Sequence, residues 1–183
     1  SAPPGNYPVT LRVTDSSTGA GSYFELESFT VTVSAPPSVT IAVAPASVSE
    51  DGATNLTYTV TRSLNLSSAT TVNLTTSGTA TSGTDYAGGV ATVVIPSGAT
   101  TATVTIDPTV DGSVEADETV ILTVAAGTGY TVGAPSSATG TILNDDLPTL
   151  TINDVTASEG NAGTTNFTFT VSLSAPAGPG GVT

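Results

Sequence analysis

The sequence predicts an all-β antiparallel sandwich of about seven strands, set in a tandem array with partial domains at both ends. Strict polar/apolar alternation recurs in short runs, as in NLTYTVTR, where Leu56, Tyr58 and Val60 face one way and Thr57, Thr59 and Thr61 the other. These runs follow one another at the spacing expected of a sandwich, with Gly, Pro, Ser and Asp between them. A third observation is that the strand pattern beginning near Val39 restarts at Leu150, about 110 residues later. Nothing in the pattern calls for a helix.

Residues 1–5 (SAPPG) read as a linker. Tyr7, Val9, Leu11 and Val13 alternate with polar neighbours, Asp15–Gly21 is turn chemistry, and Phe24–Val33 returns with Phe29, Val31 and Val33 on one face. A lone hairpin is marginal in water, so these strands are expected to close a domain that begins upstream. Ala35–Pro37 punctuates the chain, because consecutive prolines remove ladder donors and favour a stiff connector.

Seven strands are then expected: Val39–Val43, Leu56–Arg62, Thr71–Thr75, Gly89–Ile95, Thr101–Ile106, Thr119–Ala125 and Ala138–Leu143. Their apolar faces pack together, and threonines cover the opposite faces. Tyr86 and Tyr130 read as packing anchors beside turns. Leu150–Asp154 and Asn166–Leu173 repeat the first two strands before the Pro/Gly-rich stretch 174–183. The expected division is residues 1–36 as closing strands, 37–147 as one complete domain and 148–183 as an incomplete second copy. The chain is expected to be a segment of a longer, secreted polypeptide.

Charge narrows the function. Fifteen acids stand against two arginines, Arg12 and Arg62, giving a formal net charge of −13. Such a polyanion lacks the Lys/Arg needed to displace counterions from nucleic acid or to hold an anionic bilayer. No apolar run approaches the length of a membrane helix, so no membrane insertion is expected. With no Cys, His or Lys there is no disulfide, thiolate, imidazole base, Schiff base or lysine isopeptide crosslink.

The acids fall at strand ends. The run TVDGSVEADETVIL places Asp111, Glu115, Asp117 and Glu118 in one turn-rich stretch. Carboxylates crowded in this way repel unless a cation lies among them, and Ca2+ takes six to eight such oxygens. Taken alone, the run fits a solvated acidic loop equally well. Glu50 and Asp51 follow one strand, Asp85 closes a turn, Asp107 ends a strand, and Asp145 with Asp146 ends another.

Five ordered motifs, VSEDGATNLTYTVTR, GTATSGTDYAGG, VVIPSGATTATVTI, DGSVEADETVILTV and SATGTILNDD, together resemble a Calx-beta domain over roughly residues 38–146. That family is the Ig-like sandwich of sodium/calcium exchangers, common as tandem repeats in bacterial surface proteins. Residues 6–34 are similar to the closing strands of Ig-like or cadherin-like repeats. The resemblance implies Ca2+ as cofactor, an extracellular or cell-surface location, and metal ligands at Glu50, Asp85, Asp107, Asp111, Glu115, Glu118, Asp145 and Asp146, all at one end of the sandwich.

The chain departs from the exchangers in two places. Pro108–Val110 separate Asp107 from Asp111, and Asn144 stands where the closing aspartate run begins. Fewer anionic ligands imply one to three ions, bound in the roughly 0.1–1 mM range of extracellular modules. Asp51 reads as a turn former in EDG, Asp117 as solvent-facing, and Asp15, Glu25 and Glu27 as surface charges. Asp154 reads as a surface charge too, or as a ligand to an ion at the junction. The sequons at Asn55, Asn65, Asn73 and Asn166 arise readily by chance in so threonine-rich a chain.

Three function classes compete. A paired-carboxylate hydrolase needs a cleft and carboxylates of divergent pKa, which strand-end acids without aromatic subsites do not supply. A ligand-binding module on a secreted enzyme or receptor is the second. A structural or adhesive calcium-binding repeat, stiffened at its junctions by calcium, is preferred, with neighbouring repeats as partners. Self-association into fibres by strand exchange at the partial domains is the less favoured variant.

Overall fold

The computed structural model describes residues 2–10, 12–14, 23–25, 29–64 and 66–176. The turn expected at 15–21, the sequon at Asn65 and the last residues of the Pro/Gly-rich stretch lie outside them. No helix occurs among the described residues. At the N-terminal end are β1 (Gly5–Val9), β2 (Arg12–Thr14), β3 (Tyr23–Glu25) and β4 (Phe29–Val33). β1 pairs with β4 and β2 with β3, both antiparallel, as a hairpin requires. Phe29 and Val31 are exposed.

Ten strands make the sandwich: β5 (Ser38–Ala44), β6 (Ser47–Ser49), β7 (Leu56–Arg62), β8 (Thr70–Gly78), β9 (Tyr86–Ala87), β10 (Thr92–Ile95), β11 (Thr101–Pro108), β12 (Glu118–Val124), β13 (Thr131–Val132) and β14 (Ser137–Leu143). One sheet runs β10-β8-β12-β14-β6 and the other β13-β5-β7-β11-β9. All seven expected strands form, although the one expected from Gly89 starts only at Thr92. β6, β9 and β13 are additional; with two or three residues each, they carry no readable period. The sandwich is not wholly antiparallel, because β13 joins β5 and β6 joins β14 in parallel.

The alternation read in the sequence is the burial seen in the structure. Leu56, Tyr58 and Val60 of β7 and Ile106 of β11 are fully buried, and Thr57, Thr59 and Thr61 between them lie toward the outer face. Opposite them pack Val72, Ile95, Val120, Leu122 and Ile142 of the second sheet. Tyr86 and Tyr130 are buried as anchors. Tyr58 crosses the core to donate its hydroxyl to the Val120 carbonyl at 2.6 Å and to accept the Gly140 N–H at 3.1 Å. A Cβ at Gly140 would lie 2.6 Å from Leu56, so a glycine is what lets the sheets meet there.

Strand direction assigns the chemistry to poles. β7 begins at Leu56 opposite Ile106 and ends at Arg62 opposite Val39. Its seven residues put the two ends about 20 Å apart. The ends of β6, β8, β11 and β14 and the starts of β7 and β12 gather at one pole. The starts of β5, β8 and β11 and the end of β7 gather at the other.

Beyond the sandwich, β15 (Leu150–Ile152) pairs with β16 (Val171–Leu173). Asn166–Thr170, expected as strand, is irregular. The register repeats that of β5 and β7 at an offset of 111: Ile152 faces Val171 as Ile41 faces Val60, and Leu150 faces Leu173 as Val39 faces Arg62. The closing bonds repeat as well. Ser63 N–H donates to the Ser38 carbonyl and Ser174 N–H to that of Thr149, while the Ser63 and Ser174 hydroxyls accept the Ser38 and Thr149 amides. Ile152, Phe167, Phe169 and Val171 are exposed, whereas their counterparts Ile41, Leu56, Tyr58 and Val60 are buried.

Candidate metal centre

The turn Thr81–Asp85 is closed from both sides. The Asp85 Oδ2 accepts the Thr81 N–H at 2.5 Å, and the Asp85 N–H donates to the Thr81 carbonyl at 2.9 Å. The Asp85 carbonyl in turn accepts the Thr109 N–H at 2.9 Å, which ties this turn to the start of the acidic loop. Glu118 opens β12 beside Thr119. Gly78, at φ +127°, lets β8 run close against Thr119; a Cβ there would meet the Thr119 carbonyl oxygen at 2.0 Å. Thr79 and Ala80 then donate to that same carbonyl at 3.0 and 3.1 Å.

These constraints bring one carboxylate oxygen each of Asp85, Glu115 and Glu118 within 4.8 Å of one another. Burial, a hydrogen bond shared with Asp85, and the charges of Asp85 and Glu115 raise the pKa of Glu118.

A second group of acids centres on Glu50. It is 5% exposed, and its carboxylate makes no hydrogen bond among the described residues. Burial, then the charges of Asp111, Glu115, Asp146 and Asp51, push it up to about 7. Asp146 is also raised, by desolvation and by Asp51, Asp145 and Asp111, and its Oδ2 is a buried oxygen without a partner. Asp145 is partly satisfied by the Ser49 hydroxyl and, at 3.4 Å, by the Asp51 N–H. Glu115 acts on both Glu50 and Glu118 and so links the two groups.

Seven of the eight expected ligands therefore fall into these two groups. Asp107 joins neither. On β11, Ile106 and Pro108 point inward and are buried, so parity turns Asp107 outward with Thr103 and Thr105. Two acids not expected to matter belong to the pole. Asp51 contributes charge to Glu50 and Asp146, and the Asp117 Oδ1 accepts the Asn144 N–H at 3.2 Å. A carboxylate placed inward or capping a strand exit gives no sequence signal apart from its position.

The donor set fits a hard divalent cation. All candidate ligands are carboxylate oxygens, several clustered, with one buried oxygen orphaned and one glutamate, Glu50, largely buried among them. No His, Cys or Lys exists to draw a softer metal or supply an internal counter-charge.

The opposite pole holds Arg62, which is 1% exposed. Its guanidinium donates to the carbonyls of Ala99, Ser68, Leu66 and Pro96 and, at 2.6 Å, to the Thr70 hydroxyl. A signal for this burial is present in the sequence: Arg62 continues the inward parity of Leu56, Tyr58 and Val60.

A comparison with curated protein sequences returned no match. Among solved structures, the chain is similar to the apo-form Calx CBD1 domain at 27% identity, TM-score 0.49, covering 59% of this chain and 98% of that one. It is similar at the same identity and TM-score to CBD12 from CALX1.2 and to the calcium binding domain CBD12 of CALX1.1. In both cases the match covers 58% of this chain and spans only 44% of the other. The family model for the Calx-beta domain matches residues 32–146. The chain belongs to the Calx-beta family, a family of calcium-binding domains.

Proposed function

We propose that residues 37–147 are a calcium-dependent structural repeat of an extracellular or cell-surface protein, in which Ca2+ at the acidic pole stiffens the domain end and its junction to the next domain. The observation that carries this is the gathering of Asp85, Glu115 and Glu118 oxygens within 4.8 Å of one another, beside the largely buried Glu50 and the unpartnered Asp146 Oδ2. Bound Ca2+ supplies the positive charge that turns repulsion among these groups into shared coordination. Glu50, Asp111, Asp145 and Asp146 would hold it on one side and Asp85, Glu115 and Glu118 on the other, with Glu115 common to both. The chain leaves the sandwich through Asn144–Asp146, so ligation there acts on the connector itself. No residue set for covalent or acid–base chemistry accompanies the acids, which favours a binding role over an enzymatic one.

The hairpin of β15 and β16, with its register repeated at an offset of 111, supports reading residues 148–183 as the opening of a second copy. Its exposed apolar residues match positions that are core in the first copy. Neighbouring repeats are then the natural partners, and such an array suits an adhesive or stalk role.

The test is a thermal melt and a small-angle scattering profile in EGTA and in 5 mM CaCl2, on the parent and on Asp85→Asn/Glu118→Gln. Calcium should raise the melting temperature of the parent and narrow its distribution of sizes, and do neither for the variant. Identical curves in both buffers for the parent would refute the proposal.

A further inference from the structure

We propose that Asn144 is a built-in clasp: it holds the Val110–Asp117 loop in its ion-binding arrangement before any ion arrives, and thereby sets how readily the pole takes up calcium. This rests on the calcium reading of the pole and concerns a residue outside the ligand set. The loop has no regular structure. Within it, the Ser113 N–H donates to the Asp111 Oδ1 at 2.6 Å, a purely local turn. Among the described residues, its hydrogen bonds to the rest of the chain all run to Asn144. The Glu115 N–H donates to the Asn144 Oδ1 at 3.0 Å, and the Asn144 N–H donates to the Asp117 Oδ1 at 3.2 Å.

The same side chain also braces the strand exit, where its Nδ2 donates to the Asp146 carbonyl at 3.2 Å. One orientation of the amide satisfies both partners: an N–H needs the oxygen, and a carbonyl needs the nitrogen. An aspartate at this position could accept from Glu115 but could not donate to Asp146. It would also add charge beside Asp117, Asp146 and Glu115. The neutral amide thus fastens the loop to the strand exit with no cation present, and the carboxylates of Asp111 and Glu115 are kept near Glu50 despite their repulsion.

A pre-formed site binds more tightly in proportion to its occupancy. If the competent loop falls to one molecule in ten, the apparent dissociation constant rises tenfold. Asn144→Ala should therefore weaken calcium binding without removing a single ligand carboxylate.

The experiment compares the full chain with Asn144→Ala by residue-resolved amide exchange, in EGTA and in saturating CaCl2, alongside calorimetric calcium titration. In EGTA the Ser113 amide, bonded within the loop to Asp111 Oδ1, should exchange at least tenfold faster in the variant, and the variant's calcium dissociation constant should be at least tenfold higher. Saturating calcium should restore the Ser113 amide, whose acceptor Asp111 Oδ1 the substitution leaves in place, to the parent's rate. Unchanged exchange of Tyr58 and Val60 establishes that the variant is folded.

Equal Ser113 exchange in EGTA would overturn the clasp. So would a difference that persists undiminished in calcium, since that marks a packing defect unrelated to the site. A parent that is protected in EGTA but gives no calcium heat would support the brace while overturning the calcium reading.

Discussion

The two poles of the sandwich each bury one charged residue, Arg62 at one and Glu50 at the other, and surround it in opposite ways. At one, Arg62 is buried to 1% exposure with no carboxylate partner among the described residues; four backbone carbonyls and the Thr70 hydroxyl take the place of its hydration shell. The loops around residues 66–70 and 96–99 converge on its guanidinium, so the cation is a permanent part of the fold. At the other, acids collect around Glu50 and Glu118 with too few donors to meet them, and burial and mutual repulsion raise Glu50, Glu118 and Asp146. One pole meets its charge with its own carbonyls, whereas the other, under the proposed function, is completed by an ion. The difference separates the part of the molecule that fixes its stability from the part that can respond to its surroundings.

The largest effect is expected at the closed pole. Arg62→Met leaves buried carbonyls and the Thr70 hydroxyl without donors, and should cost about 3 kcal/mol or more. The melting temperature should fall by ~10 °C or more. Because Arg62 is about 20 Å from the acids, the further rise produced by calcium should be unchanged. A calcium increment that disappears in this variant would show that the poles are not independent.

At the open pole the sign reverses. Glu50→Gln removes a largely buried charge that Asp111, Glu115, Asp146 and Asp51 repel, so the metal-free protein should gain ~1–3 kcal/mol at pH 8 while calcium affinity falls. Chemical denaturation in EGTA reads the first effect and calorimetric titration the second. A loss of metal-free stability would mean that Glu50 is satisfied by the fold and is not waiting for an ion.

Proton linkage makes the same point within the parent. The folded state holds the Glu50 carboxyl near 7, against 4.5 for an unperturbed group. Between those values the native state binds more protons than the unfolded state, so metal-free stability should rise as pH falls from about 7 to 4.5 and level off below. Calcium competes with that proton, and its affinity should weaken over the same window. A pH series of denaturation curves in EGTA checks the first expectation. A flat or inverted profile would contradict the raised carboxyl.

The smallest change is the most specific. Asn144→Asp adds a carboxylate to the open pole and removes the donor to the Asp146 carbonyl. Metal-free stability should drop by ~1 kcal/mol, and the melting-temperature increment from calcium should grow. An unaltered increment would mean that this position lies outside the ion's reach.

Much of this contrast is legible in the sequence, and the part that is not has identifiable causes. Period-two alternation places Leu56, Tyr58 and Val60 in the core because a pleated strand leaves no other choice of face. The same parity, continued by one step on β7 and β11, puts Arg62 inside and turns Asp107 outward, apart from the two groups of acids. β6, β9 and β13 are held by pairing with distant strands and leave no local pattern. Asp51, Asp117 and Asn144 belong to the pole through the convergence of three chain segments, which spacing along the sequence does not encode. Glu50 is placed at the pole by a resemblance; its burial is visible only once the chain is folded.

The most direct measurement is a calorimetric titration of Ca2+ into EGTA-stripped protein at pH 7.5 and pH 5.5, on the parent and on Asp85→Asn/Glu115→Gln/Glu118→Gln. The account predicts saturable binding with a dissociation constant of roughly 0.1–1 mM at pH 7.5, weaker binding at pH 5.5, and a lost or diminished isotherm in the variant. No saturable heat from the folded parent at pH 7.5, or an isotherm that the three substitutions leave untouched, would contradict it.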